Sequence, residues 1–172
     1  MCGRYTLSTA PDLVKQHFNL SEIPGELHPR YNISPSQLVA AVPNGAERRA
    51  EMFRWGLIPS WAKDPAIGNK LINARGETVA AKPSFRSAFR KRRCLILADG
   101  FYEWKGKARL KVPMRIRLTS KEPFAFAGLW ETWQPPEGDL VRSCTIITTT
   151  PNDLMAPIHD RMPVILREEA FS

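Results

Sequence analysis

Cys94-Leu95-Ile96-Leu97-Ala98-Asp99-Gly100-Phe101-Tyr102-Glu103-Trp104 is the stretch from which the fold is read. Its unbroken apolar opening predicts a strand buried on both faces. Asp99-Gly100 is a turn dipeptide, and an alternating strand follows with a single carboxylate, Glu103, between Tyr102 and Trp104. A glutamate beside so apolar a strand is partly desolvated, which suits it to give and take protons. Taken alone, it reads better as the polar face of an ordinary alternating strand.

Working outward, Gln37 to Val42 and Ala50 to Trp55 read as a hairpin around Asn44-Gly45. Met114 to Leu118, Phe124 to Leu129, Cys144 to Thr150 and Val164 to Leu166 are further strands. Helical signals are short. Thr9-Ala10-Pro11-Asp12 predicts a helix start with a Thr-x-x-Asp box, after which Leu13, Val14, His17 and Phe18 share a face. Other helical pieces are expected before Phe89, interrupted at Pro83, and over Pro151 to Ile158. Trp55 reads as core, whereas the loop from Leu57 to Trp61 reads equally as core or as an apolar wedge that stacks on bases.

The chain has 172 residues, enough for one domain with a real core; 43% hydrophobic and 24% charged residues fit a soluble globular protein. Lys+Arg 25 against Asp+Glu 17 gives +8, a balance that suits a polyanionic partner. No apolar run is long enough to span a membrane, and the first ten residues lack a signal-peptide core, so a cytoplasmic location is expected. Cys2, Cys94 and Cys144 are odd in number and widely spaced, which favours neither a disulfide framework nor a zinc knuckle. Cys94 and Cys144 read as buried thiols. His17 and His28 have no metal-type neighbour one turn away.

The first five residues, Met1-Cys2-Gly3-Arg4-Tyr5, carry distinctive chemistry. With Met1 removed, Cys2 presents an α-amine and a thiol two carbons apart, a 1,2-aminothiol that condenses with an aldehyde to an imine and closes to a thiazolidine. An α-amine with a pKa of about 7.8 is roughly a quarter unprotonated near pH 7.4, against roughly one part in a thousand of lysine. Other candidates lie further on. Asn73 offers an amide donor and acceptor, Arg75 a planar cation for phosphate, and Arg86 with Arg90 to Arg93 the densest basic cluster. Thr148 to Thr150 end a strand in hydroxyls. His159-Asp160-Arg161 stands at a strand entrance as an acid/base or phosphate site.

In order, Met-Cys-Gly-Arg-Tyr, Trp-Gly-Leu-Ile-Pro-Ser-Trp, Asn-Ala-Arg-Gly-Glu-Thr, Gly-Phe-Tyr-Glu-Trp, Gly-Leu-Trp-Glu and His-Asp-Arg-Met-Pro resemble the SRAP family of SOS-response-associated peptidases, or abasic-site-processing proteins, from Met1 to about Arg167. The resemblance implies an α+β fold with a barrel-like antiparallel β core, short flanking helices and a basic groove for single-stranded DNA. It implies covalent capture of the ring-opened abasic-site aldehyde by Cys2, Asn73 holding the amine or sugar, Glu103 shuttling protons, and His159 assisting ring opening and reversal. Arg4, Arg75 and Arg161 become phosphate contacts, with Asn32 and Pro35 near the groove; Trp61, Arg86 and Thr149 complete the expected DNA face. No metal or organic cofactor is called for, and a monomer is expected. The peptidase label is read as self-removal of Met1. Family members continue past Ser172, so a C-terminal segment is expected to be missing from this single domain.

Two rival readings stand beside this one. An N-terminal-nucleophile amidohydrolase also begins with a processed cysteine, but needs an oxyanion hole and two sheets sandwiched between helices. A binding module without chemistry would use only the basic cluster and the tryptophans.

Overall fold

In the computed structural model, which describes residues 2–106 and 110–171, the apolar run is strand β6 (Arg93–Ala98), buried at Cys94 and from Ile96 to Ala98. It joins β3 (Leu38–Pro43), β4 (Glu51–Trp55), β9 (Phe124–Trp133) and β10 (Val141–Thr149) in a closed five-stranded barrel, in the order β4-β3-β6-β9-β10 and back to β4. Closure leaves these strands no free edge, and their inward residues form the core. The hairpin around Asn44-Gly45 is present, with Leu38 opposite Arg54 and Ala41 opposite Glu51.

The barrel is not wholly antiparallel. β10 runs parallel to β4, through Ser143 opposite Arg54 and Cys144 opposite Trp55, and parallel to β5 (Asn73–Arg75). These strands are far apart in sequence, so no tight turn dictates their relative direction.

At Gly128, β9 is paired to both β6 and β10. A side chain there would come within 2.7 Å of Ile96 Cδ1 and 2.8 Å of Cys94 Sγ, so only glycine allows the approach. Beyond this point β9 and β10 separate, and the chain of β11 (Met162–Pro163) and β12 (Ile165–Leu166) fills the gap. Val164 stitches it in, donating to Ile147 O at 2.9 Å and accepting from Ala127 N at 2.9 Å.

Asp99-Gly100 does not fold the next strand back on β6. Instead β7 (Gly100–Lys105) crosses to a second sheet, ordered β2 (Arg30–Ile33), β1 (Tyr5–Leu7), β7, β8 (Val112–Ile116). Tyr5 carries this sheet into the barrel core, its ring 5.3 Å from that of Trp55 and 5.6 Å from that of Phe126, both edge-on.

Helices are few and short. α1 (Pro11–His17) starts at the expected proline, but the Thr9-x-x-Asp12 box does not form: no side chain caps this helix. Thr9 N and Oγ1 both donate to Asp99 Oδ2, at 2.8 and 2.9 Å. A buried carboxylate is the stronger acceptor. α1 buries Val14, with Phe18 buried just beyond it, while Leu13, expected on the same face, is 56% exposed. α2 (Arg86–Lys91) closes a smaller cluster of Leu57, Ala74, Val79, Phe85, Ala88 and Leu129. Pro151 to Ile158 forms turns, and Glu168–Ala170 a single 3-10 turn. No helix among the described residues is long and apolar enough to cross a membrane.

Asp99 ties the two sheets together. Its carboxylate accepts from Thr6 Oγ1 at 2.5 Å, Ser8 N at 2.6 Å, Ser8 Oγ at 2.8 Å and both Thr9 donors, with Arg115 Nη2 at 3.5 Å. Desolvation pushes this carboxyl up, but the hydrogen bonds from Thr6, Ser8 and Thr9 outweigh it and hold the group below its ordinary value. The unfolded chain therefore binds the proton more tightly. This stabilisation is present above the unfolded value of about 4 and is lost as pH falls through the folded value. Asp99→Asn should cost about 2–3 kcal/mol at pH 7, a drop of about 5–10 °C in Tm by calorimetry, with the gap to wild type narrowing below pH 4. An unchanged Tm at pH 7 would show that the carboxylate does not fasten the N-terminal strand.

Candidate functional site

Three short-range facts fix the start of the chain. β1 pairs with β7 through Tyr5 opposite Phe101, and Tyr102 N donates to Arg4 O at 2.9 Å, which brings the residues before Arg4 alongside Glu103. Arg4 Nη1 donates to Asn32 Oδ1 at 2.9 Å. Asn73 Nδ2 donates to Cys2 O at 3.1 Å. Cys2 to Arg4 lie outside the strand, and Cys2 itself is buried.

Glu103 is buried for a reason visible in β7. Phe101 and Glu103 point inward on alternate positions, while Tyr102 and Trp104 point outward. The Cys2 thiol is pushed far above its ordinary value, first by desolvation and then by the Glu103 charge; the backbone hydrogen bond at Arg4 acts the other way. Sulfur so placed is a protonated thiol beside a carboxylate, not a standing nucleophile.

Asn73 opens β5, with Ile146 of β10 opposite it, and Arg75 lies on the same face, past the buried Ala74. The Cys2 carbonyl can only accept, so the amide nitrogen must face it and the oxygen points elsewhere. That oxygen, Asn73 Oδ1, is buried with no hydrogen-bond partner among the described residues. An acceptor left so costs about 1–3 kcal/mol. An amine or hydroxyl of a reacting partner would satisfy it.

A second group gathers at the end of β10. His159 is half-buried; its Nδ1 accepts from Arg161 N at 3.0 Å and lies 3.0 Å from Asp160 Oδ1. The contact with Arg161 N uses a lone pair on Nδ1 and the contact with Asp160 Oδ1 uses a proton there, so the same nitrogen is placed both to take and to give a proton. Arg161 is turned inward: its fork donates to Glu77 Oε1 and Oε2 at 2.7 and 2.9 Å, and to Thr148 O at 2.9 Å. The hydrogen bond from Arg161 lowers Glu77 to about 2. Arg161 is thus engaged inside the protein, and a phosphate would have to displace Glu77 to reach it. Thr149 ends β10, half-buried opposite Met162.

The other expected DNA contacts are spread over the surface. Arg75 and Arg86 are exposed, Asn32 is exposed beside Arg4, and Pro35 is half-buried in the loop after β2. Leu57 and Ile58 are core, with Ile58 N bonded to Ser143 Oγ at 2.8 Å, so the wedge reading is left with Trp61, 58% exposed. Within the basic cluster, Arg92 is paired with Glu131 at 2.7 Å. Among the described residues no three His, Cys, Asp or Glu gather as metal ligands.

Reading the sequence missed Glu77, Thr148 and Asp99 as members of these networks. Glu77 lies within a quoted motif, yet its partner is 84 positions away. No local pattern announces such a pair.

The family model described as SOS response associated peptidase (SRAP) matches residues 1–172. "Abasic site processing protein YoqW" of Bacillus subtilis (strain 168) is 54% identical over 173 residues, covering 98% of this chain and 77% of that protein. "Abasic site processing protein HMCES" of Xenopus tropicalis is 32% identical over 210 residues, covering 96% of this chain and 63% of that protein. The crystal structure of a protein from Bacteroides thetaiotaomicron aligns with a TM-score of 0.90 at 26% identity, covering 99% of this chain and 80% of that one. One from Bordetella bronchiseptica aligns at 0.84 and 28%, covering 99% and 86%.

All three cysteines are free and buried, and burial raises each thiol. In the chain still carrying Met1, iodoacetamide at pH 8 should leave Cys2, Cys94 and Cys144 unmodified over a time in which the denatured chain is alkylated at all three, as read by peptide mass spectrometry. Fast labelling of Cys2 would contradict the closed site.

Proposed function

The chain belongs to the SOS response associated peptidase family, and we propose that it captures abasic sites in single-stranded DNA as a covalent thiazolidine at Cys2. The observation that carries this reading is the setting of Cys2: its carbonyl is held by Asn73, whose buried Oδ1 lacks a partner among the described residues, and its thiol lies under the charge of Glu103.

An abasic deoxyribose is mostly a closed hemiacetal, so ring opening needs a proton for the ring oxygen and a base for the hydroxyl on C1. His159, a half-buried imidazole, suits the first task, and Glu103 the second. Removal of Met1 frees the Cys2 amine, which adds to the aldehyde; the adduct loses water to give an imine. The thiol then adds to the imine carbon, with the sulfur proton passing through Glu103 to the nitrogen. One water is released overall. Asn73 Oδ1 can accept from the amine while Nδ2 keeps the Cys2 carbonyl in place.

The protonated thiol fits this order of events. Attack by the amine comes first, and the sulfur needs a base only at closure, where the neighbouring carboxylate that raises it can also take its proton. The closed barrel and the two short α-helices among the described residues do not provide the layered sandwich that the amidohydrolase rival requires. DNA affinity is assigned to the +8 charge, with the exposed Arg75 and with Arg4 beside Asn32 nearest the chemistry.

A single-stranded oligonucleotide with one abasic site should give a slow-migrating conjugate on a denaturing gel without borohydride. Cys2→Ala should give at most a borohydride-trapped imine. Glu103→Gln should slow conjugation by roughly two to four powers of ten; an unchanged rate removes Glu103 from the chemistry. Arg75→Ala should weaken binding to any single strand and reduce the salt slope by about one. An effect confined to abasic DNA would contradict its phosphate role.

A further inference from the structure

We propose that Glu77 is a positioning residue for His159, acting through the fork of Arg161; this rests on the abasic-site chemistry assigned above. Three segments meet at the end of β10. The loop after β5 carries Glu77, β10 carries Thr148, and the entrance to β11 carries His159 and Arg161. Thr148 O is the shared point, accepting from Gly76 N at 2.9 Å and from Arg161 Nη2 at 2.9 Å. On the strand, Thr148 is also opposite both Arg75 and Pro163.

Glu77 completes this junction. Its two oxygens take both terminal nitrogens of Arg161, a bidentate pair that fixes the guanidinium plane as well as its position. The Arg161 side chain is only 10% exposed, and its Nε is buried without a partner among the described residues, so Glu77 and Thr148 provide the acceptors that keep the cation inside. Without the carboxylate, a mostly buried guanidinium would lose its charge partner and turn outward. The main-chain N–H of that same residue holds Nδ1 of His159 at 3.0 Å, so the movement would reach the imidazole through one residue. Since β5 also carries Asn73, the clamp sets His159 in register with the amide that grips Cys2.

The alternative is that Glu77 acts on DNA directly, as a carboxylate competing with phosphate for Arg161 and Arg75. That role would move affinity and leave the chemical step alone. The two are separated by single-turnover conjugation of a single-stranded abasic oligonucleotide, read at saturating DNA and as a function of DNA concentration. Glu77→Gln keeps the size and removes the second acceptor. It should lower the saturating rate by roughly 10- to 100-fold, with affinity for intact single strands unchanged or higher. In a His159→Gln background the same change should slow the reaction by no more than about twofold, because Glu77 works through that ring. Glu77→Asp, which keeps the charge but draws it back by one methylene, should fall between wild type and Glu77→Gln, and it serves if the glutamine variant loses its cooperative unfolding. A saturating rate equal to wild type, a loss that added DNA restores, or undiminished slowing on top of His159→Gln would each overturn the proposal. Wild-type protein that gives no conjugate would overturn the preceding reading as well, whereas a normal wild-type conjugate with a full-rate Glu77→Gln sinks this inference alone.

Discussion

Thr6, Ser8 and Thr9 converge on the carboxylate of Asp99 in a space nearly closed to water, and this fastens the N-terminal strand between β2 and β7. Chain ends ordinarily fray. Here the end is held by charge-assisted hydrogen bonds from several donors and by Tyr5, whose ring is packed among Trp55 and Phe126 inside the barrel. The consequence is positional. With Tyr5 fixed opposite Phe101, Cys2 has only the short segment through Gly3 and Arg4 in which to wander, and Asn73 and Glu103 stand at the end of it.

The two groups of polar residues divide the work by where they are anchored. Asn73 and Glu103 belong to strands, whose alternation aims them inward and keeps them there. His159 belongs to a loop, where its Nδ1 meets Arg161 N and the Arg161 fork is held by Glu77 and Thr148. Both groups border β5, where Asn73 donates to the Cys2 carbonyl and Arg75, two residues later, faces solvent opposite Thr148.

Much of the scaffold was legible because local pattern dictates it. The apolar runs of β6 and β10, the turn at Asn44-Gly45 and the burial of Trp55 all follow from spacing that the fold preserves. What was not legible is long-range. No residue near Trp55 announces that it will lie parallel to Cys144, and that contact closes the barrel. Thr9 has the chemistry of a helix cap, but the stronger acceptor, Asp99, is 90 positions away and takes it. Arg161 reads as a surface cation until Glu77 is placed beside it. The residues proposed for the chemistry, Cys2, Asn73, Glu103 and His159, were singled out by type and motif; the hydrogen bonds around them were not, since partners across the fold leave no mark on local composition.

The central claim is that nitrogen and sulfur of one residue share a single carbon of the damaged sugar. Intact-mass spectrometry of the gel-purified conjugate, before and after borohydride, tests it most directly. A thiazolidine predicts a mass equal to the protein without Met1 plus the oligonucleotide less one water, unchanged by the reductant. A gain of two hydrogens on reduction would identify an open imine and contradict ring closure, and a conjugate still bearing Met1 would contradict attack by the Cys2 amine.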